Sequence, residues 1–174
     1  MKFTIALLIL LSLNLNAAEV NLYAINSPTT LKWKTPKSLL KTTIRNFLRL
    51  GNGRMSKHKI GHAYLGFKCD GEEEVISGMT SGPGFKAKSS LFKKKVGMSV
   101  ILMDNNGHFQ DHAESLKDIK YLSKAHRVNK LQIEVSNEQC LAAKKWHDEY
   151  SSSEEFIYGG VDKRPLLGEG SGCT

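Results

Sequence analysis

One stretch, residues 59–79 (KIGHAYLGFKCDGEEEVISGM), limits the architectures open to this chain more than any other. Positions 60–67 are rich in apolar and aromatic residues, and Val75 and Ile76 follow in a second β-prone run. Asp70-Gly71 between them matches a two-residue hairpin turn. A type I′ turn needs positive φ at both central positions, which Asp tolerates and Gly adopts freely. The stretch therefore reads as a β-hairpin. With that turn, Cys69 pairs with Glu72 and His62 falls opposite Met79. His62, Tyr64 and Gly66 then share a face with Val75, Ser77 and Met79, and Ser77 lies diagonal to His62. An imidazole inside a strand of core character makes His62 a candidate catalytic base.

Strand and helix signals alternate around that hairpin. Residues 20–25 (VNLYAI) read as a first strand. A loop follows over 26–35, broken at Ser27-Pro28, with Trp33 expected to anchor it on the core. Thr35 as N-cap and Pro36 in the first turn start a helix over 36–50, which Gly51 stops. Its expected inner face is Leu40, Ile44, Phe47 and Leu48. Gly51 to Lys57 reads as a flexible connector. Beyond the hairpin, Gly82-Pro83-Gly84 is a break and 89–96 is short and very basic. The apolar run 98–103 reads as a buried strand, 104–107 as a turn, and 111–126 as a helix with Leu116, Ile119 and Leu122 inward. A strand over 131–135 precedes a helix opened by the capping box of Ser136 and Gln139. A last strand is expected over 156–158. Because the strongest strand pair is a hairpin, the mixture favours an α+β fold, an antiparallel sheet with packed helices, over a doubly wound parallel sheet. At 174 residues one domain is expected, and 40% hydrophobic with 24% charged residues excludes global disorder.

Residues 1–18 read as a secretion signal rather than as part of the fold. Lys2 supplies a charged start, the apolar run over 3–13 is too short to span a bilayer well, and small residues lead to cleavage after Ala17 or Ala18. No cysteine follows the run, so the lipoprotein type of signal is absent. The domain over 19–174 is expected to be exported, periplasmic or secreted, from a bacterium. Its cysteines are Cys69, Cys140 and Cys173, an odd count that leaves a thiol unpaired within the chain. A Cys69–Cys140 bridge and no bridge at all both fit the sequence. Cys140 is expected in the core and Cys69, beside the turn, half-exposed.

The net charge is +8, and its distribution is uneven. No acidic residue lies between Glu19 and Asp70, an interval holding Lys32, Lys34, Lys37, Lys41, Arg45, Arg49, Arg54, Lys57, Lys59 and Lys68. Lys37, Lys41, Arg45 and Arg49 recur every four residues and form a basic stripe along one helix face. The stripe reads either as a solvated surface or as a site for an anionic partner: cell-wall polymer, lipopolysaccharide or phospholipid headgroups. Nucleic acid is not expected for an exported chain without a recognisable binding module. His108 and His112, near Asp104 and Asp111, match no strong metal motif, and no cofactor is expected.

The far end carries the second chemical group. Cys173 stands in Gly170-Ser171-Gly172-Cys173-Thr174, where small neighbours permit a sharp turn and close backbone approach. A thiol heading a helix is acidified by the helix dipole and by backbone N–H groups. Nucleophilic catalysis needs such a thiol, an imidazole to take its proton and a polar group to orient the imidazole. Cys173, His62 and Ser77 are the candidates, with Glu74 replacing Ser77 if the hairpin register slips.

His62 within Gly61-His62-Ala63-Tyr64-Leu65-Gly66, followed much later by a glycine-rich turn and Cys173, resembles the circularly permuted papain-like group. That group includes the lecithin:retinol acyltransferase-like proteins and permuted relatives of NlpC-type cell-wall hydrolases. The resemblance covers chiefly 59–80 and 158–174. It implies a fold in which the His strand precedes the Cys helix, with the base at His62, the nucleophile at Cys173 and the third polar position at Ser77. It also implies hydrolysis or transfer of an acyl group at an amide, ester or thioester, through an acyl-enzyme, on a cell-wall or lipid substrate. In that group the cysteine heads a helix packed on the sheet, whereas here one residue follows Cys173. The expectation is therefore a truncated form of a longer protein, inactive as it stands. The alternative is a non-catalytic basic envelope-binding protein acting through residues 32–68.

Overall fold

The computed structural model describes residues 18–49, 58, 61–81, 105–152 and 157–158. Strand β1 (Ala18–Ile25) leads to helix α1 (Pro36–Arg49), then to β2 (His62–Lys68), β3 (Val75–Ser81) and β4 (Asn105–Gln110). Helix α2 (His112–Ser123), β5 (Val128–Val135), α3 (Asn137–Ser151) and the two-residue β6 (Ile157–Tyr158) follow. The strands form one sheet in the order β5-β1-β2-β3-β4-β6, with every neighbouring pair antiparallel. The fold is thus α+β with an antiparallel sheet. The expected break at Gly82-Pro83-Gly84, the basic segment 89–96, the strand 98–103 and Cys173 lie outside the described residues.

The sheet divides its side chains by the period of two. Tyr23, Ile25, Tyr64 and Ile76 occupy the first face and pack with Ile119 and Leu122 of α2. Ala18 and Phe67 occupy the second face and cluster with Cys69 and Cys140, the latter from α3, against Val20, Val135 and Ala143. Helices thus cover both faces of one sheet. Helix α3 begins as its capping box requires: the Gln139 amide donates to Ser136 Oγ (3.2 Å) and the Ser136 amide to Gln139 Oε1 (3.0 Å). Cys69 and Cys140 are bridged, which ties the hairpin turn to α3. Cys69 is therefore buried rather than half-exposed. The same seam carries a bond from the Asp70 amide to Asn137 Oδ1 (3.0 Å) and an ion pair between Lys144 and Glu72 (2.6 Å). That bond to Glu72 holds the Lys144 ammonium above its ordinary pKa.

The hairpin forms, but its turn differs from the expected one. Positive φ occurs at Gly71 (75°) and not at Asp70, so a type I′ turn is excluded. The Glu72 amide donates to the Cys69 carbonyl (3.1 Å), closing a four-residue turn with glycine at its third position. Ladder pairing resumes only at Phe67↔Val75, Gly66↔Ile76 and Leu65↔Ser77. The register is one residue away from the expected pairing of His62 with Met79. Because side chains alternate, a slip of one moves each β3 residue to the other face.

Other departures share one cause, tertiary context overriding local pattern. Residues 105–107 are strand rather than turn, because β4 pairs with β3 (Met79↔Phe109, Ser81↔Gly107) and with β6 (Asn105↔Tyr158). Helix α1 buries Leu39, Thr42, Thr43 and Asn46, while Leu40 and Ile44 are half-buried; the side chains of Phe47 and Leu48 lie outside the described set. This inner face is polar because it closes the loop after β1. Asn46 Nδ2 donates to Ser27 Oγ (2.8 Å), Thr29 Oγ1 donates to Asn46 Oδ1, and the Lys32 amide donates to Thr42 Oγ1 (3.2 Å). Trp33 does not anchor that loop on the core: it is 63% exposed.

Candidate functional site

His62 begins β2 on the first face, opposite Ile25, and is 7% exposed. Its ring stacks on His58 with centroids 4.0 Å apart and planes 12° from parallel. Tyr64, two residues on and therefore on the same face, meets the His62 ring edge-on at 4.5 Å. The imidazole plane is thus fixed from two directions by packing. His58 is held in turn by Arg127, whose Nη2 donates to the His58 carbonyl (2.7 Å) and whose Nε donates to the Asn26 carbonyl (2.9 Å). Burial pushes the Arg127 guanidinium below its ordinary pKa.

Beyond the stack lies a buried carboxylate. Asp118 Oδ2 receives Gln110 Nε2 (3.3 Å) and the Tyr64 hydroxyl (3.4 Å), and His58 Nε2 stands 3.6 Å away. Tyr64 is wholly buried, and its hydroxyl lies 2.8 Å from His58 Nε2. A phenol has one proton to donate. Given to Asp118, it leaves an oxygen lone pair for a protonated His58 Nε2, so one tautomer of His58 completes the set. Burial, and then the charge of Asp118, raise the Tyr64 hydroxyl well above its ordinary pKa, so this group is a neutral hydrogen-bond relay rather than a phenolate. The result is a connected chain of proton-carrying groups, Asp118, Tyr64 and His58, ending on the flat of His62.

Of the residues singled out in the sequence, His62 occupies this cluster and Ser77 does not. The observed register sets Ser77 with Leu65 on the second face, where its Oγ donates to the Gln110 carbonyl (3.2 Å). The strand separates it from His62, so Ser77 does not orient that ring. Glu74 is on the His62 face but is committed elsewhere, accepting from Asn21 Nδ2 (2.7 Å) and from the Tyr23 hydroxyl (2.8 Å). Burial, with that bond and the charge of Glu74, raises the Tyr23 pKa in the same way. Cys173 lies outside the described residues. His112 Nδ1 accepts from the Ile76 amide (3.0 Å), so it serves the start of β3. Among the described residues no group of three or more His, Cys, Asp or Glu is placed to hold a metal ion.

Sequence reasoning missed His58, which lies one residue beyond the stretch read as flexible connector, and Asp118. For Asp118 a signal existed. Ser115, Asp118, Ile119 and Leu122 follow the 3.6-residue period, and all four are buried. For His58 none did, since its place depends on Arg127, distant in the chain.

The basic stripe is where α1 was expected to put it. Lys37, Lys41 and Arg45 are exposed along one side of the helix, while the side chain of Arg49, at the last helical position, lies outside the described set. Among the described residues no helix is long and apolar enough to cross a membrane. No family model, no curated protein and no solved structure matches the chain.

Proposed function

We propose that this chain is an exported, thiol-dependent acyl hydrolase or acyltransferase of the permuted papain-like type, with the Cys173 thiol as nucleophile and His62 as base. The observation that carries the reading is the fixed imidazole: His62 is held by His58 and Tyr64 on the helix-covered face of β2. In the reaction, His62 takes the thiol proton and the sulfur attacks the acyl carbon of an amide, ester or thioester. A carbon–sulfur bond forms, the bond to the leaving group breaks, and His62 returns the proton to that group. Water or an acceptor hydroxyl, deprotonated by the same imidazole, then releases the acyl group. Packing replaces Ser77 as the orienting device. The Cys69–Cys140 bridge supports export, because such bridges persist in oxidising compartments. Strand β1 begins at Ala18, paired with Val135 and buried, so cleavage after Ala17 would leave the sheet whole.

The bridge also simplifies the test. With Cys69 and Cys140 oxidised, a thiol alkylating probe reads Cys173. In the full product of the gene, alkylation at neutral pH should be fast, with its inflection below the free-thiol value of about 8.5. The His62→Ala variant should react about tenfold more slowly at pH 7, with the inflection back near the free-thiol value. Identical profiles in the two proteins would remove the catalytic reading.

The exposed stripe of α1 favours a second role on the same chain, attachment to an anionic envelope surface. Each Lys or Arg near an anionic membrane contributes about 1 kcal/mol, so changing Lys37, Lys41 and Arg45 to Glu should weaken binding to phosphatidylglycerol vesicles by at least about a hundredfold. Binding should also fall with added salt, which shortens the reach of surface charge. Vesicle binding indifferent to both salt and the three substitutions would leave the stripe as a solvated face.

A further inference from the structure

Strand β5 ends the sheet, and among the described residues nothing pairs with its outer edge. Its neighbour β1 is paired along the full length, from Ala18↔Val135 to Ile25↔Val128. Residues 129–134 are exposed on both faces, with Leu131 56% and Ile133 46% accessible. Natural sheets blunt such edges with proline, bulges, very short strands or charged side chains, lysine above all, and of these devices this edge carries only the charges of Lys130 and Glu134. This edge has eight residues, VNKLQIEV, without proline.

The side chains along it are self-complementary. Two copies related by a twofold axis pair antiparallel edge strands with the two residue numbers in each pair summing to a constant even value. Centred on Gln132, the pairing sets Lys130 opposite Glu134 of the second copy, twice, on the first face. It also sets Leu131 opposite Ile133, twice, on the second face. Shifting the centre to Leu131 or Ile133 loses both charge pairs. Within one copy the charges are poorly served. Glu134 is opposite Glu19, and among the described residues it has no cationic partner. Among the described residues Lys130 reaches the Tyr23 ring, 5.7 Å from the centroid, and no carboxylate. Like charges opposite each other in a sheet are unfavourable, and opposite charges favourable.

We infer that β5 is a homodimer interface: a second copy of this chain adds its β5 antiparallel about Gln132, joining two sheets into one. The pairing satisfies the edge backbone groups, covers Leu131 and Ile133, and gives Glu134 its cation. This assignment does not depend on the acyl-transfer reading, since β5 lies at the far side of β1 from His62.

Sedimentation equilibrium on the purified full chain tests it. The weight-average mass should rise toward twice the monomer value with concentration. The K130E and E134K variants should each remain monomeric at concentrations where the parent is dimeric, since each places like charges at all four contact positions. An equimolar mixture of the two should recover dimer mass, because every contact then joins opposite charges. The K130E/E134K double variant should also dimerise. A fold-damaging substitution would not be rescued by mixing. A parent monomeric throughout, or single variants that dimerise like the parent, would overturn the assignment. So would a mixture that stays monomeric.

Discussion

Replacing Cys69 and Cys140 by alanine lowers the stability of the fold by about 4 kcal/mol. The bridge spans a sequence separation of 71 residues, and the loop-entropy relation gives about 3 kcal/mol for a 15-residue loop and about 4.7 for a 100-residue one. Domains are stable by only about 5–15 kcal/mol, so the variant loses from about a quarter to most of its margin. Alanine is the proper replacement because both sulfurs are buried and a serine hydroxyl would add the cost of an unpaired polar group. Urea unfolding of the oxidised parent and the double variant measures the difference. A loss below about 1 kcal/mol would mean that the unfolded chain already holds these segments together, contrary to the loop argument.

A second large effect is expected from Gly78→Ala. The register of the hairpin, continued one step, sets Tyr64 opposite Gly78. A β-carbon there would stand 2.5 Å from Tyr64 Cδ1, 2.9 Å from Cε1 and 3.1 Å from the Ala63 carbonyl oxygen. The carbonyl is backbone and the tyrosine is wholly buried, so neither yields easily. Overpacking of this kind costs about 1–3 kcal/mol, or roughly 2–12 °C in melting temperature for a chain of this size. The sign is informative, because glycine to alanine at an unstrained site stabilises through the unfolded chain. Displacing the ring also breaks the hydroxyl contacts to His58 and Asp118, so under the proposed acyl-transfer function the variant should react with a thiol alkylating probe as slowly as His62→Ala does. A variant as stable as the parent would show that the tyrosine is not wedged over the glycine.

Much of the framework was legible because its signals are local. The capping box at Ser136, the proline start of α1 and the hairpin itself each rest on neighbours in sequence. The hairpin register was not, and the cause is specific. Asp70-Gly71 satisfies the chemistry of a two-residue turn, but the bridge at Cys69 and the Asn137 bond to Asp70 hold the turn to α3, outside the hairpin. One residue of slip then moved Ser77 away from His62. The candidate site was half legible. His62 announced itself as an imidazole in an apolar strand, whereas His58 and Asp118 meet it only through the packing of α2 and Arg127 on the first face. The polar inner face of α1 was unreadable for a similar reason: its partners are the hydroxyls of a loop whose path depends on the helix.

The central position of β1 decides when this protein can fold. The first strand of the sheet has β2 on one side and β5 on the other, so Ala18 waits for Val135 before its second ladder closes. Pairings so distant in sequence incur a loop-closure entropy before any ladder bond compensates, so mixed folds with such pairings form more slowly than helical bundles. A chain emerging from its N-terminus could therefore close β1 on β2 once residue 68 is out, but would leave the other edge of β1 open until residue 135 had followed.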